Sequence, residues 1–246
     1  MVLVTGGTHG IGRACVERLA RDGHRVAFTG RDRAAGASVE HAISGTTYVY
    51  GDVALEADCR RVVETALDMC DGRLDGLVNN AGMSSREAFA QSSAADWDGL
   101  MAVNARSAFL FMRFALQGLI AAKGAVVNIS SIAGKAGEEG LAIYCASKAA
   151  MIALTQALAL EFGASIRVNA VCPGQVDTRM MDGITANPKA RRLLELRIPA
   201  GRFAAPAEIA NVVAWLLSSE ASYVNGAVIT ADGGETAGVR LPRTDT

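Results

Sequence analysis

The sequence predicts an α/β fold, a doubly wound and mostly parallel sheet of seven strands with helices on both faces. Three observations support this prediction. Short apolar runs alternate with longer segments whose apolar residues recur at spacings of three and four. The first apolar run ends in a glycine-rich turn that leads into such a segment. Polar or glycine-containing stretches follow the predicted strands, at the sheet edge where ligands bind in folds of this class.

The first predicted strand, residues 2–5, runs into a turn with glycines at positions 6, 10 and 12, and an amphipathic helix then extends to Gly23. Glycines let the backbone approach a pyrophosphate, which sits at the helix N-terminus where N–H groups lack partners. The spacing is G-x-x-x-G-x-G and differs from the common G-x-G-x-x-G pattern. We therefore predict a phosphate-binding turn, with a simple tight loop as the alternative.

The remaining elements follow in alternation. We predict strands at residues 25–29, 47–50, 74–78, 125–129, 166–171 and 227–230. We predict helices at residues 56–70, at residues 96–121, from Tyr144 onward and after Pro206, whereas the polar residues 178–199 indicate an irregular segment. The strand ends carry Gly30 and Arg31, Asp52 and Val53, Asn79 to Gly82, Ser130 and Ser131, and Pro173 and Gly174. We expect these residues to surround one ligand site.

Length and composition allow one domain. The chain has 246 residues, of which 50% are hydrophobic, enough to bury a sizeable core. Because no linker, repeat or change of composition divides the sequence, we predict a single domain at residues 1–234. Residues 235–246 are expected to form a weakly ordered C-terminal extension.

Charge and cysteine content exclude several classes of function. The net charge is −1 with acidic and basic residues interspersed, so nothing indicates a nucleic-acid or anionic membrane partner. The five cysteines contain no C-x-x-C pair and form no metal-ligand pattern with the three histidines. The N-terminus is predicted to be a strand, without the basic region or cleavage site of a signal peptide, and we expect no apolar run long enough for a membrane span. These observations predict a cytoplasmic protein with reduced thiols and no metal site.

Tyr144 and Lys148 are four residues apart at the start of the central helix and so share one face. An ammonium beside a phenol stabilises the phenolate, which would lower the tyrosine pKa from about 10 toward the range useful for acid–base catalysis. Taken alone, the pair also fits an ordinary solvated helix face.

Taken together, these residues resemble the classical short-chain dehydrogenase/reductase family over nearly the whole chain. The resemblance is carried by Thr5 to Gly12, Asn79 to Gly82, Asn104, Ser131, Tyr144 with Lys148, and Pro173 with Gly174. The spacing of thirteen positions from Ser131 to Tyr144 also fits. The resemblance implies a Rossmann-type fold, in which one domain binds the dinucleotide and carries the catalytic residues. It also implies hydride transfer between C4 of a nicotinamide and a carbonyl carbon.

The resemblance assigns a catalytic tetrad. A ketone that accepts hydride develops alkoxide charge, so its oxygen needs a proton donor and a second hydrogen bond. Tyr144 would be the donor, Ser131 would polarise the carbonyl, and Lys148 would lower the tyrosine pKa and bind the nicotinamide ribose. Asn104 would hold a water in the proton relay. The alternatives are a strand-end cap for Ser131 and a structural amide for Asn104.

The resemblance also implies the cofactor contacts. Thr178 would contact the carboxamide, and Asp52, Val53 and Asn80 would lie on the adenine side. The full set is Gly6, Thr8, His9, Gly10, Ile11, Gly12, Arg31, Asp52, Val53, Asn80, Ala81, Gly82, Tyr144, Lys148, Pro173, Gly174, Val176 and Thr178.

The end of the second strand predicts NADP(H) in preference to NAD(H). Gly30 occupies the place where NAD-specific relatives carry an acid for the ribose 2′-hydroxyl. Arg31 follows, and a guanidinium suits a 2′-phosphate. His9 would add positive charge if protonated. The alternative is that Arg31 and Arg33 are ordinary solvated charges.

The overall resemblance is closest to 3-oxoacyl-thioester reductases and polyketide ketoreductases, including the sequences at residues 168–174 and 231–234. We therefore expect an NADP(H)-dependent oxidoreductase that reduces a 3-oxoacyl-type ketone, free or bound to a carrier. The alternatives are a dehydrogenase of a sugar, steroid or cyclic alcohol, and a redox-inactive nucleotide-sensing or structural subunit. Glu138 and Glu139, over the expected substrate pocket, are interpreted as solvated, with repulsion of anionic substrates as the alternative. By resemblance, we expect a homotetramer or homodimer.

Overall fold

The computed structural model describes residues 1–239, and these fold around a sheet of seven strands. The strand order is β3-β2-β1-β4-β5-β6-β7, and every neighbouring pair is parallel. The strands are β1 (Val2–Thr5), β2 (Val26–Gly30), β3 (Thr46–Tyr50), β4 (Gly76–Asn79), β5 (Ala125–Ile129), β6 (Arg167–Pro173) and β7 (Val228–Ala231). The predicted Rossmann-type sheet is therefore confirmed, with strand ends displaced by at most two residues.

Helices cover both faces of the sheet. They are α1 (Gly10–Arg21), α2 (Arg33–Ala42), α3 (Glu56–Asp68), α4 (Ala94–Met101), α5 (Ser107–Ala122), α6 (Ala142–Phe162), α7 (Asp182–Thr185), α8 (Pro188–Arg197) and α9 (Pro206–Leu217). One core joins α1 and α9 to the sheet, where Val16 and Ile209 are buried. The other joins α3, α5 and α6 to the opposite face, where Leu119 and Val126 are buried. This division confirms the doubly wound arrangement.

Helix α2 was not predicted from the sequence, because it buries few large side chains. Val39 is its one buried large apolar residue, and Gly36 lies so close to Tyr48 that an added Cβ would overlap the ring. Small residues therefore let the helix approach β3 without producing a strong apolar period. Asp32 begins the helix by accepting a hydrogen bond from the Ala35 backbone N–H at 3.0 Å.

The prediction of an irregular segment at residues 178–199 was wrong. A 3₁₀ turn (Arg179–Met181), α7 and α8 occupy most of it. Asn187 caps α8 by accepting from the backbone N–H groups of Lys189 and Ala190, and Pro188 takes the first helical position. The polar composition reflects an exposed helix with a low apolar content.

The helix predicted at residues 96–121 is divided in two. A π-helical turn (Ala102–Arg106) separates α4 from α5 and contains Asn104. Such turns are rare and occur frequently at functional sites.

Buried amides connect the centre of the sheet to α6. Asn79 donates to the Asn128 side chain at 2.8 Å, and Asn128 donates to the Thr155 hydroxyl at 2.8 Å. Breaking one of these bonds would leave a buried polar group unpaired, which costs about 1–3 kcal/mol. The network therefore fixes α6 relative to the ends of β4 and β5.

Among residues 1–239, α6 alone is long and apolar enough to span a membrane by length and composition. The expectation that no apolar run reaches that length was therefore wrong. In the fold, α6 packs against β5 and β6 and buries Lys148, Met151 and Thr155.

The predicted C-terminal extension begins inside the packed structure. The Glu235 side chain is 3% exposed and forms an ion pair with Arg197 at 3.0 Å. The backbone N–H and hydroxyl of Thr236 donate to the Asp232 carboxylate. Residues 240–246 of the predicted extension lie outside the described residues.

The close packing at Gly12 gives a test of the fold. A Cβ at this position would overlap the Gly6 carbonyl oxygen and the Asn80 amide, which belong to the turn after β1 and the loop after β4. Gly12→Val is therefore expected to lower the free energy of unfolding by about 3 kcal/mol or more. Denaturant unfolding of the protein without cofactor measures this change.

Gly99→Ala is the matched control, because nothing lies within 4 Å of a Cβ at Gly99. This change in α4 should be neutral or should stabilise the protein by up to about 1 kcal/mol. Unchanged stability of Gly12→Val would contradict the close approach of the turn and the loop.

Candidate active site

A cavity of about 630 Å³ lies at the carboxyl ends of the strands. It extends from Gly30 and Arg31 after β2 to Tyr144 and Lys148 on α6. The predicted site residues that line it are Gly6, Thr8, His9, Gly10, Ile11, Arg31, Asp52, Val53, Asn80, Ala81, Gly82, Ser131, Tyr144, Lys148, Pro173, Gly174, Val176 and Thr178. The structure thus brings these residues together around one cavity, while Gly12 and Asn104 lie behind its wall.

The turn after β1 has the geometry of an anion cradle. Gly6 and Gly10 have φ angles of +66° and +54°, which favour glycine. The His9 side chain makes no cap bond to α1, so the first N–H groups of the helix remain available for an anion. The turn fits the pyrophosphate of a dinucleotide, because Gly6 and Gly10 leave its backbone accessible from the cavity.

Asn80 holds this turn in place. Its side-chain amide donates to the backbone oxygens of Thr5 at 3.0 Å and Gly6 at 3.2 Å. In return, the Thr5 hydroxyl accepts from the backbone N–H groups of Asn80 and Ala81, both at 3.0 Å. Asn80 therefore connects the glycine turn after β1 (residues 6–12) to the loop after β4.

His9 does not provide the positive charge that was suggested for it. Burial lowers the pKa of His9 below its ordinary value, and the nearby Arg179 guanidinium lowers it further. The imidazole is therefore mainly neutral at pH 7.

Tyr144 and Lys148 share a face of α6, with the lysine Nζ 5.8 Å from the centre of the tyrosine ring. Lys148 is 4% exposed, and its Nζ donates to the Ile129 carbonyl at 2.8 Å. Burial lowers the pKa of Lys148 to about 8. Lys148 is therefore partly uncharged as the pH approaches 8, which weakens the predicted effect of its ammonium on the Tyr144 pKa.

The expected lowering of the Tyr144 pKa is not found. Burial raises the pKa of the phenol, and hydrogen bonding to the Ser131 hydroxyl lowers it by a smaller amount. The Glu138 carboxylate raises it further. Tyr144 is therefore protonated at neutral pH, the form that can donate a proton to a ketone oxygen.

Ser131 fits both roles considered from the sequence, a cap at the strand end and a hydroxyl that polarises the carbonyl. Its Oγ accepts from the Ala133 backbone N–H at 3.1 Å and caps the 3₁₀ turn at Ile132–Gly134. The bond fixes the Oγ beside Tyr144 and leaves the hydroxyl proton available for donation.

Asn104 is fully buried, and its amide is engaged in structural contacts. Its Nδ2 donates to the Met83 carbonyl and to the Ser147 hydroxyl, both at 2.9 Å, and its Oδ1 accepts from the Met83 backbone N–H at 2.8 Å. These contacts favour the structural interpretation of the side chain. Both of its N–H groups are bonded to protein, so neither is free for a relay water.

Arg31 lies at the opposite end of the cavity. Its side chain is 67% exposed, with Nη1 3.8 Å from the Asp52 carboxylate. Gly30 has no room for a side chain, because an added Cβ would lie 2.8 Å from the Thr8 methyl group. The guanidinium therefore reaches the cavity edge next to a position that excludes a carboxylate.

Several residues that line the cavity were not predicted from the sequence. They are Met83, Ser84, Arg86, Ile132, Leu141, Gln175, Arg179, Met180, Met181, Ile184 and Leu194. For the cavity residues at 179–194, the sequence did contain a signal of helical structure, the Asn187–Pro188 pair that begins α8.

Glu138, interpreted as solvated, is only 19% exposed and forms an ion pair with Arg86 at 2.6 Å. The partners are 52 positions apart, and the local sequence gives no signal for such a pair. Within residues 1–239, no group of three or more histidine, cysteine or acidic residues is placed to hold a metal ion.

Comparison with known proteins identifies the family. Residues 6–236 match the family described as enoyl-(acyl carrier protein) reductase. The chain is 38% identical to 2-(S)-hydroxypropyl-CoM dehydrogenase 3 of Xanthobacter autotrophicus, over 96% of both chains. It is also 38% identical to the 3-oxoacyl-[acyl-carrier-protein] reductase FabG of Aquifex aeolicus, over 94% of this chain and 95% of the other.

A solved structure agrees with these matches. The crystal structure of a putative gluconate dehydrogenase from Agrobacterium tumefaciens is similar with a TM-score of 0.92. The two chains are 32% identical, and the similarity covers 97% of this chain and 96% of the other. With its parallel sheet and the cavity around Ser131, Tyr144 and Lys148, the chain belongs to the classical short-chain dehydrogenase/reductase family, whose members are oxidoreductases that use a nicotinamide cofactor.

Proposed function

We propose that this protein is an NADP(H)-dependent reductase of 3-oxoacyl-type ketones. The observation that carries the proposal is a single cavity that joins the phosphate turn and Arg31 to Tyr144 and Ser131. A bound nicotinamide would supply the hydride. The residues of the chain would bind the cofactor, orient the ketone and deliver the proton.

The proton would come from Tyr144. Its phenol is protonated at neutral pH because burial raises its pKa, so it can donate to the ketone oxygen as alkoxide charge develops. The Ser131 hydroxyl would give the second hydrogen bond to that oxygen. Lys148 would bind the ribose and stabilise the transient phenolate, while Asn104 would hold the Met83 loop against α6.

The apolar part of the cavity wall supports a chain-like ketone over a sugar as the substrate. Its apolar side chains are Met83, Ile132, Leu141, Met180, Met181, Ile184 and Leu194. A polyhydroxylated substrate would leave hydroxyl groups unpaired against this wall, which is costly. An acyl chain would bury apolar surface there, and a relative in the comparison is a 3-oxoacyl-[acyl-carrier-protein] reductase.

Exposed apolar side chains on the outside of α4, α5 and α6 support a homodimer or homotetramer. Trp97, Phe109 and Leu160 are 45%, 49% and 89% exposed. Large exposed apolar groups often mark protein–protein contacts. We place this oligomer in the cytoplasm, where the five free cysteines would stay reduced.

Tyr144→Phe tests the proton donor. The variant keeps the ring and loses the hydroxyl, so ketone reduction should fall about 10²- to 10⁴-fold. NADPH binding, followed by fluorescence titration, should persist. Tyr223→Phe, at a fully exposed tyrosine far from the cavity, should keep the wild-type rate. A Tyr144→Phe variant with more than about a tenth of that rate would exclude Tyr144 as the donor.

Arg31→Ala tests the cofactor preference. Loss of a charge-assisted hydrogen bond to a 2′-phosphate is worth about 1.5–3 kcal/mol, so the NADPH Michaelis constant should rise about tenfold or more. NADH lacks the phosphate, and its constant should change little. Steady-state kinetics with each cofactor measures the difference.

Arg33→Ala is the control for this experiment, because Arg33 stacks on the Tyr50 ring at 3.6 Å and does not line the cavity. It should affect neither constant. An equal shift of both constants in Arg31→Ala would make Arg31 a structural residue and would remove the support for NADP(H).

The oligomer is tested by light scattering of the protein at micromolar concentration. We expect a mass of two or four chains, and Leu160→Glu should reduce it by placing a charge in the contact. A wild-type monomer would contradict the proposal.

A further inference from the structure

An ion pair joins two loops at the rim of the cavity. Arg86, in the loop after β4, bonds the Glu138 carboxylate at 2.6 Å through Nη2 and the Glu139 carbonyl at 2.5 Å through Nη1. The backbone N–H of Glu87 donates to the Gly140 carbonyl at 2.9 Å. These bonds hold the loop that precedes α6 against the loop that follows Gly82.

The two partners are unequally exposed. The Glu138 side chain is 19% exposed, whereas that of Arg86 is 50% exposed, and both line the cavity. A guanidinium has five N–H donors. Since the bonds to Glu138 and Glu139 use only part of this set, Arg86 retains donors for a ligand at the rim.

The ion pair is close to the reacting position. The charge of Glu138 is near enough to Tyr144 to raise the pKa of its phenol, and Arg86 is bonded directly to Glu138. Because Tyr144, Glu138 and Arg86 line the same cavity, a substrate whose ketone oxygen meets Tyr144 can extend toward this pair.

The surrounding wall makes this a distinct polar subsite. Among the cavity residues at 83–86, 132–141 and 175–194, most side chains are apolar. The polar ones besides Arg86 and Glu138 are Ser84, Gln175, Thr178 and Arg179. An acceptor on the substrate would find a charged donor in Arg86. A carboxylate on the substrate would be repelled by the negative charge of Glu138, which is already paired with the Arg86 guanidinium. The subsite therefore favours an uncharged acceptor.

We propose that Arg86 is a specificity-determining residue that donates a hydrogen bond to an uncharged carbonyl of the substrate, an ester, thioester or amide, beside the reacting ketone. Glu138 positions the guanidinium and disfavours substrates that carry a carboxylate there. The proposal rests on the proposed ketone reductase function and names the chemical class of the group next to the ketone.

Three ketones test the subsite in steady-state assays with NADPH. Ethyl acetoacetate carries the uncharged carbonyl, acetoacetate carries a carboxylate at the same place, and 2-heptanone carries neither. Arg86→Gln should raise the Michaelis constant for ethyl acetoacetate about tenfold relative to that for 2-heptanone, because a charged donor is lost. Glu138→Gln should raise kcat/KM for acetoacetate relative to ethyl acetoacetate, because the repelling charge is removed.

Arg60→Gln is the matched control. Arg60 is 53% exposed and pairs with Glu56 on α3, and it does not line the cavity. Its loss should leave the ratios among the three ketones unchanged. Thermal unfolding of all variants, compared with wild type, identifies any general loss of structure.

The outcomes separate this inference from the function on which it depends. If wild type reduces none of the three ketones, the proposed function is overturned and this inference with it. If wild type reduces them but Arg86→Gln shifts the constants for ethyl acetoacetate and 2-heptanone by the same factor, Arg86 is structural and only the inference fails. If Arg86→Gln does not fold, Glu138→Gln decides, and an unchanged preference between acetoacetate and its ester overturns the subsite.

Discussion

The close approach between the glycine turn and the loop after β4 is the constraint on which the site depends. Gly12 has no space for a Cβ, because the Gly6 carbonyl oxygen and the Asn80 amide lie against it. The same amide donates to the backbone oxygens of Thr5 and Gly6. This contact fixes the anion cradle relative to β4, while Asn79 fixes β4 relative to β5 and α6 through Asn128 and Thr155. The glycine turn and the helix that carries Tyr144 and Lys148 are therefore held by one continuous set of buried and partly buried hydrogen bonds.

Burial sets the electrostatics of the catalytic residues. It keeps Tyr144 protonated by raising its pKa, and it lowers the pKa of Lys148 to about 8. Oxidation of an alcohol would require the phenolate as a base, and burial opposes its formation. Reduction of a ketone requires the phenol as an acid, the form that burial favours. In the protein without cofactor, Tyr144 is therefore in the acid form that ketone reduction uses.

Features that depend on local sequence could be predicted, and features that depend on burial or distant contacts could not. The strands and the pairing of Tyr144 with Lys148 follow from local period and spacing. The helix α2 was missed because Gly36 and its small neighbours pack by close approach and produce no apolar stripe. The predicted lowering of the Tyr144 pKa was wrong. Burial, which the sequence pattern does not show, raises this pKa by more than the hydrogen bond to Ser131 lowers it. The ion pair of Arg86 with Glu138 joins distant loops.

The placement of that ion pair explains how one scaffold can separate chemistry from selectivity. Ser131 and Lys148 are fixed by the strand ends and by α6, whose positions are determined by buried bonds. Arg86 and Glu138 lie in loops, which tolerate substitution without disturbing the sheet. Under the proposed role of Arg86, a change at this rim would alter which group near the ketone is accepted while leaving Ser131, Tyr144 and Lys148 in position. Because the Glu138 charge also raises the Tyr144 pKa, a change at Arg86 would separate selectivity from proton transfer better than a change at Glu138.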